Sequence, residues 1–234
     1  VIYLNLGRRE LGKTTLALYL VRTMPARVYF DPRGLLPATG TRVTLPDDVG
    51  PAFDQLWERV QRQGDGELTF TPRGNVQRFF DLVCAQMQRW IEEPNAPRIA
   101  FLVDELRFVN TDGDAFDWVM RCAPRSDVTI VGTAHRPVDV SVHMRAIADV
   151  WCVFQMSQEH DLKVLSEKSP ALALKAARLH PREFVAWDDT TATLTEYHDP
   201  RLWYVPLAAE RMTAVHGLDL PASAPRVDRG KLFE

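Results

Sequence analysis

Residues Gly7 to Thr14 read G-R-R-E-L-G-K-T. The spacing G-x-x-x-x-G-K-[ST] has a mechanism: two glycines let the backbone curl so that its N–H groups face a phosphate. In that arrangement Lys13 reaches the β- and γ-phosphates of a bound nucleotide, and the Thr14 hydroxyl is placed to ligate Mg²⁺. A helix opening here aims its positive end at the same phosphates. The predicted nucleotide contacts are therefore Gly7, Arg8, Arg9, Glu10, Leu11, Gly12, Lys13, Thr14 and Thr15. An ordinary glycine turn is the plain alternative. A second chemical feature lies far downstream, where R-I-A-F-L-V-D-E carries an apolar run into two adjacent carboxylates, Asp104 and Glu105. In open α/β sheets ligands bind at the carboxyl ends of strands. Asp104 then suits the Mg²⁺ shell, usually through water, and Glu105 suits the general base that polarises a water attacking the γ-phosphate. The plain alternative is a strand that merely ends in two acids. A third feature is G-T-A-H-R-P at Gly132 to Pro137. Thr133 and His135 are candidate sensors of the γ-phosphate, and a neutral histidine can donate or accept.

These residues need elements to hold them. Ile2–Leu6 reads as a short apolar strand and Thr15–Thr23 as a helical run that stops before Pro25. Ala26–Asp31 reads as a second strand, closed by Pro32-Arg33-Gly34, and residues 35–46 as a loop. A helix is predicted over 47–63, a strand over 67–71, and a helix carrying Val76, Phe79, Phe80, Val83, Cys84, Met87 and Ile91 at helical spacing. The continuous apolar run Ile99–Val103 suits a strand covered on both faces of a parallel sheet. A helix over 114–122, a strand over 128–133, a short helix over 141–148 and a strand over 150–155 follow. Strands alternating with helices predict right-handed crossovers and a doubly wound sheet. Beyond residue 157 the pattern becomes a helical stretch to about 179, then a β-hairpin formed by 183–187 and 193–197. The expected division is a motor-type α/β domain over 1–198 and an extended C-terminal arm over 199–234, punctuated by prolines.

Composition narrows the partners. The formal net charge is −3, so any contact with nucleic acid must come from local clusters rather than from a basic surface. Cys84, Cys122 and Cys152 are widely spaced within apolar runs, which predicts buried thiols rather than disulfides or a metal site. No apolar stretch approaches the length of a membrane span. The guanine-reading N-K-x-D motif is absent, which disfavours a GTPase and favours ATP. A small-molecule kinase is the alternative of another class, although kinases do not need a glutamate directly after the Mg²⁺ carboxylate.

Taken together, four blocks resemble the HerA/FtsK superfamily of DNA-pumping ATPases: the phosphate loop, D-P-R-G at Asp31–Gly34, the D-E strand end, and A-H-R-P followed by V-D-V-S. The family usually has Gln where this chain has His135. The likeness spans roughly residues 2–198, and its known fold is an additional-strand, RecA-like P-loop NTPase. In such proteins the strand carrying the sensor lies between the phosphate-loop strand and the Mg²⁺ strand. The first predicted strand starts at residue 2, and a motor of this extent is similar to the packaging ATPases of tectivirus-like, membrane-containing viruses. That resemblance implies a homo-oligomeric ring, expected to be hexameric, that drives double-stranded DNA into a preformed capsid. It also implies partners at the capsid vertex or portal, and a location in the host cytoplasm or at the packaging vertex of the virion. A cellular or conjugative translocase is the near alternative. The family completes each site with an arginine from the next subunit, usually just before the sensor strand, and Arg125 fits best with Arg121 second. Arg33, Arg42, Arg73 and Arg107 lie in predicted loops and are candidates for a DNA channel or simply surface residues. Arg226, Arg229 and Lys231 in the tail are candidates for a contact with a neighbour.

Overall fold

In β1 (Ile2–Leu6) every residue is buried. Alternate side chains go to opposite faces, which explains why the run is continuously apolar. Ile2, Leu4 and Leu6 join one apolar cluster with Phe30, Val103 and Ile130, whereas Tyr3 joins another with Leu16, Leu102 and Val131. The same logic governs β5 (Ile99–Val103) and β7 (Val150–Phe154), each wholly buried. The computed structural model describes residues 1–37, 40–123 and 127–197.

Among the described residues the remaining strands are β2 (Ala26–Phe30), β3 (Thr41–Val43), β4 (Gly66–Phe70), β6 (Val128–Ala134), β8 (Phe184–Asp188) and β9 (Thr193–Tyr197). They form one nine-stranded sheet in the order β3-β4-β2-β5-β6-β1-β7-β8-β9. Pairing is parallel from β3 to β7 and antiparallel from β7 to β9. The α/β class, the mainly parallel sheet and the late hairpin expected from the sequence are all present. β6 sits between β1 and β5, so the phosphate-loop strand and the D-E strand flank the strand that carries Thr133 and His135. The helices are α1 (Lys13–Val21), α2 (Val49–Gln63), α3 (Val76–Glu92), α4 (Asp114–Cys122), α5 (Val142–Ile147), α6 (Glu159–Lys168) and α7 (Pro170–Ala176). Leu16, Ala17 and Val21 of α1 belong to the cluster on one face of the sheet, while α2, α3 and α4 supply the larger cluster on the other. Asn75 caps α3 by accepting from Arg78 N at 3.0 Å, and Phe79, Phe80, Val83, Cys84, Met87 and Trp90 carry its buried stripe.

Several boundaries differ from expectation for physical reasons. Residues 35–46 are not all loop, because β3 adds a short edge strand to β4. α1 opens at Lys13, two residues before the predicted start at Thr15, because Gly12 in a left-handed conformation turns the chain directly into the helix. The stretch from 157 to 179 is two helices. Ser169 is extended, as a residue before proline prefers, and its hydroxyl accepts from Leu172 N at 3.4 Å to start α7. Cys84 and Cys152 are buried as expected, but Cys122 at the end of α4 is only half-buried. The predicted arm over 199–234, with Arg226, Arg229 and Lys231, lies outside the described residues. Among the described residues no helix is long and apolar enough to cross a membrane.

Candidate active site

The C-terminal ends of β1, β6 and β5 lie side by side, and the loops leaving them meet. β1 runs into the glycine loop. A Cβ at Gly7 would lie 2.6 Å from Phe154 Cβ on the neighbouring β7, so this turn has room for glycine alone. Glu10 also adopts a left-handed conformation, at φ 63°. Such a conformation costs a non-glycine residue on the order of 1 kcal/mol and is found where surroundings enforce it. Gly12 at φ 104° delivers the chain into α1, whose N-terminus has no side-chain cap and no acidic residue in its first turn. Its N–H groups are therefore left to an anion. Asn5, wholly buried, donates from Nδ2 to Lys13 O at 3.3 Å and ties the first helical turn to β1.

Lys13 is 6% exposed; its Nζ donates to Arg8 O at 2.7 Å and stands 3.3 Å from His135 Nδ1. Burial pulls the Lys13 ammonium down to about 8, against the opposing pull of Glu105 and Asp104. The Thr14 hydroxyl donates to Asp104 Oδ1 at 3.3 Å. The same oxygen accepts from Thr133 Oγ1 at 2.8 Å, and Thr133 Oγ1 in turn accepts from Glu105 N at 3.0 Å. One buried hydroxyl thus fixes both acidic residues of the D-E pair. Burial raises the Asp104 carboxyl above its usual range, with the Thr133 hydrogen bond acting against it.

Glu105 leaves β5 in a left-handed conformation (φ 57°, ψ 66°), which swings its side chain off the strand. Its carboxylate sits beside two guanidiniums and an imidazole. His135 Nε2 is 2.8 Å from Oε1, Arg33 Nη1 donates to Oε1 at 3.5 Å, and Arg107 Nε is 3.3 Å from Oε2. The His135 and Arg107 contacts are close but off the hydrogen-bonding line. Burial, followed by the nearby Lys13 charge, lowers His135 below its ordinary value, so the ring is held neutral near pH 7.

The structure brings Gly7, Gly12, Lys13, Thr14, Asp104, Glu105, Thr133 and His135 into one cluster. The other loop residues surround it: Arg8, Arg9, Glu10 and Thr15 are exposed and Leu11 is half-buried. Arg8 Nη2 donates to Ser157 Oγ ahead of α6. Arg121 is ion-paired with Asp117 at 2.7 Å on the surface of α4, and Arg125 lies outside the described residues. Of the arginines considered for a DNA channel, Arg42 has a structural task, donating to Thr71 Oγ1 at 3.1 Å and Leu36 O at 3.1 Å. Arg73 is exposed. Arg33 and Arg107 instead reach Glu105, a contact that no local sequence signal announces. The same holds for Arg136, whose Nε donates to both oxygens of buried Asp161 on α6, at 3.1 and 3.2 Å. In D-P-R-G, Asp31 accepts from Leu35 N at 3.1 Å and Leu36 N at 2.8 Å, folding the loop that presents Arg33.

In sequence, no protein-family model and no curated protein matches the chain. In structure it is similar to the genome packaging NTPase B204 from Sulfolobus turreted icosahedral virus 2 in complex with AMPPCP, with a TM-score of 0.66 and 16% identity, over 84% of this chain and 96% of that one. It is also similar to B204, the DNA-packaging ATPase from Sulfolobus turreted icosahedral virus, with a TM-score of 0.61 and 16% identity, covering 84% of this chain and 96% of that one. The bacterial conjugative coupling protein TrwBΔN70 aligns with a TM-score of 0.53 and 12% identity, over 83% of each chain. The chain has the fold of a P-loop NTPase. Within this P-loop NTPase fold, the cluster at the ends of β1, β5 and β6 is built from the residues of the phosphate loop and the D-E strand.

Proposed function

We propose that the chain is an ATP-hydrolysing motor that moves double-stranded DNA, and that its task is to package a viral genome into a preformed capsid. One observation carries the hydrolytic part: Thr133 ties Asp104 and Glu105 together beside Lys13 and Thr14. ATP binds along Gly7–Thr15, its phosphates on the loop N–H groups, the N-terminus of α1 and Lys13. Mg²⁺ would suit the hard oxygens of Thr14 and Asp104, which lie 3.3 Å apart. When bound, it neutralises charge on the β- and γ-phosphates. Glu105 takes a proton from a water whose oxygen bonds to the γ-phosphorus, while the bond from that phosphorus to the bridging oxygen breaks and ADP leaves. His135, neutral, hydrogen-bonds the γ-phosphate or that water.

The wider assignment is supported by the fold shared with packaging and conjugation proteins. On it the 1–198 domain forms a ring, taken as a hexamer, in which Arg125, or failing that Arg121, reaches the nucleotide of the next subunit. Capsid vertex or portal proteins supply specificity, at a packaging vertex or in the host cytoplasm. A conjugative pump is the second reading, favoured by the likeness to TrwBΔN70.

The test is ATP turnover with and without duplex DNA. Lys13→Ala is expected to lose nucleotide binding, and Glu105→Gln to bind ATP but not hydrolyse it. Phosphate released without any acceptor excludes a kinase. Normal turnover by Glu105→Gln would remove the base assignment, and turnover indifferent to DNA would remove the motor.

A further inference from the structure

The three strands that close the sheet end in a row of aromatic rings. Phe154 at the end of β7 pairs with Phe184 at the start of β8, and Phe184 pairs with Tyr197 at the end of β9. Because β8 runs antiparallel to both neighbours, all three rings stand at the same end of the sheet as the glycine loop. They also share one face, since all three pack in the cluster that holds Leu16 and Ala17 of α1 and Leu11 of the loop. The ring centroids of Phe154 and Phe184 are 5.4 Å apart with the planes at 32°. Those of Phe184 and Tyr197 are 4.4 Å apart at 10°, so the outer pair is stacked. The row begins at the loop itself, because a Cβ at Gly7 would lie 2.6 Å from Phe154 Cβ. Phe154 and Phe184 are wholly buried, whereas Tyr197 is half-buried. Among the described residues the Tyr197 ring stacks on Phe184 alone, which leaves its second face for another flat group. Burial, and then the nearby Cys152, push the Tyr197 hydroxyl up to about 12, so the phenol stays neutral beside a polyanion.

Resting on the reading of Gly7–Thr15 as the triphosphate site, we infer that Tyr197, backed by Phe184, is the platform on which the purine base of the bound nucleotide stacks. The occupant follows from the continuity of the row with the loop. A nucleotide whose β-phosphate lies on the loop carries its base one α-phosphate and one ribose away. Tyr197 stands two ring spacings beyond the residue against which the loop begins. A purine suits a half-buried ring whose other face is already stacked, because base–aromatic stacking needs only a π-face and a fixed partner. Phe184 supplies the fixing: it holds the Tyr197 ring in one plane before the base arrives, so little rotamer freedom is lost on binding. Tyr197 therefore acts on affinity for the nucleotide and not on the bond that breaks.

The experiment compares ATP with inorganic tripolyphosphate, which carries the phosphates without a base. Binding of each to the full chain is measured by calorimetry for wild type, Tyr197→Ala and Tyr197→Phe. Loss of the base stack is expected to weaken ATP binding about tenfold in Tyr197→Ala, with tripolyphosphate binding unchanged. Tyr197→Phe keeps the ring and should hold ATP within about twofold of wild type. In turnover the loss in Tyr197→Ala should appear in KM, with kcat held. Photolabelling of wild type with azido-ATP should place the label on Tyr197, and label recovered only elsewhere overturns the inference. A Tyr197→Ala chain that binds ATP as wild type does overturns it too. So does one that loses ATP and tripolyphosphate alike, the result given by a cross-strand aromatic pair that merely stabilises the hairpin. Wild type that binds tripolyphosphate as tightly as ATP would remove the base platform and leave the phosphate loop standing. Wild type that binds neither would overturn the nucleotide reading, and this inference with it.

Discussion

Thr133→Val tests the central joint of the site. Valine matches threonine in shape but lacks the hydroxyl, so it opens no cavity at a position that is 1% exposed. Two hydrogen bonds go. The 2.8 Å bond to the Asp104 carboxylate has a charged acceptor, for which about 1.5–3 kcal/mol is typical. The Glu105 N–H, 3.0 Å from the hydroxyl, is left buried without an acceptor, at about 1–3 kcal/mol. Allowing for relaxation, the expected loss is about 3 kcal/mol, or about 6–12 °C in Tm for a chain of this size. Thr133→Ser keeps the hydroxyl and removes one methyl, worth about 1 kcal/mol. Urea midpoints for wild type, Ser and Val variants give the comparison, with ATP turnover as a second readout. The order expected is wild type, then Ser, then Val, with turnover falling sharply only in Val. A Val variant within about 0.5 kcal/mol of wild type, or more stable than Ser, would refute the bridging role.

The Arg136–Asp161 pair should respond asymmetrically. Asp161 is buried and Arg136 is 40% exposed, so Arg136→Ala strands a carboxylate while Asp161→Ala lets the arginine turn to water. The first should cost about 2 kcal/mol and the second about 1, read from urea midpoints; equal losses would count against the pairing. His135 gives a pH test. Its native value lies below 6.5, through burial and then Lys13, opposed by Glu105 and the Gly7 backbone, with Arg107 adding to the lowering. Between that value and 6.5 the unfolded chain binds the proton that the native state refuses, so stability falls as pH drops through this window. His135→Gln should narrow its stability gap to wild type, or move ahead of it, on going from pH 7 to pH 5. A gap that does not move with pH would show that the ring titrates normally.

The elements that could be read from the chain are those whose signal is local. Ile99–Val103 announces a doubly covered strand because all five residues are apolar, and it is wholly buried. α3 announces itself by its apolar spacing. The edge strand Thr41–Val43 does not, because two of its three residues are exposed and its pairing with β4 is decided by the sheet. The break at Ser169 was written in the following proline yet hidden inside a continuous helical pattern.

The sequence by itself determined the phosphate loop, the paired acids and the alternation of strand and helix, because each depends on spacing along a few neighbouring residues. Only the tertiary structure decided what surrounds Glu105. Arg33 is 72 residues from it and reaches it because β2 and β5 are neighbours in the sheet. His135 meets Lys13 across 122 residues because β6 lies beside β1. Thr133, one of two candidates in G-T-A-H-R-P, became the hydroxyl that holds both acids once β6 was placed against β5. Parallel strand order is a global choice made by burying both faces of the sheet at once, so no local stretch of the chain carries it.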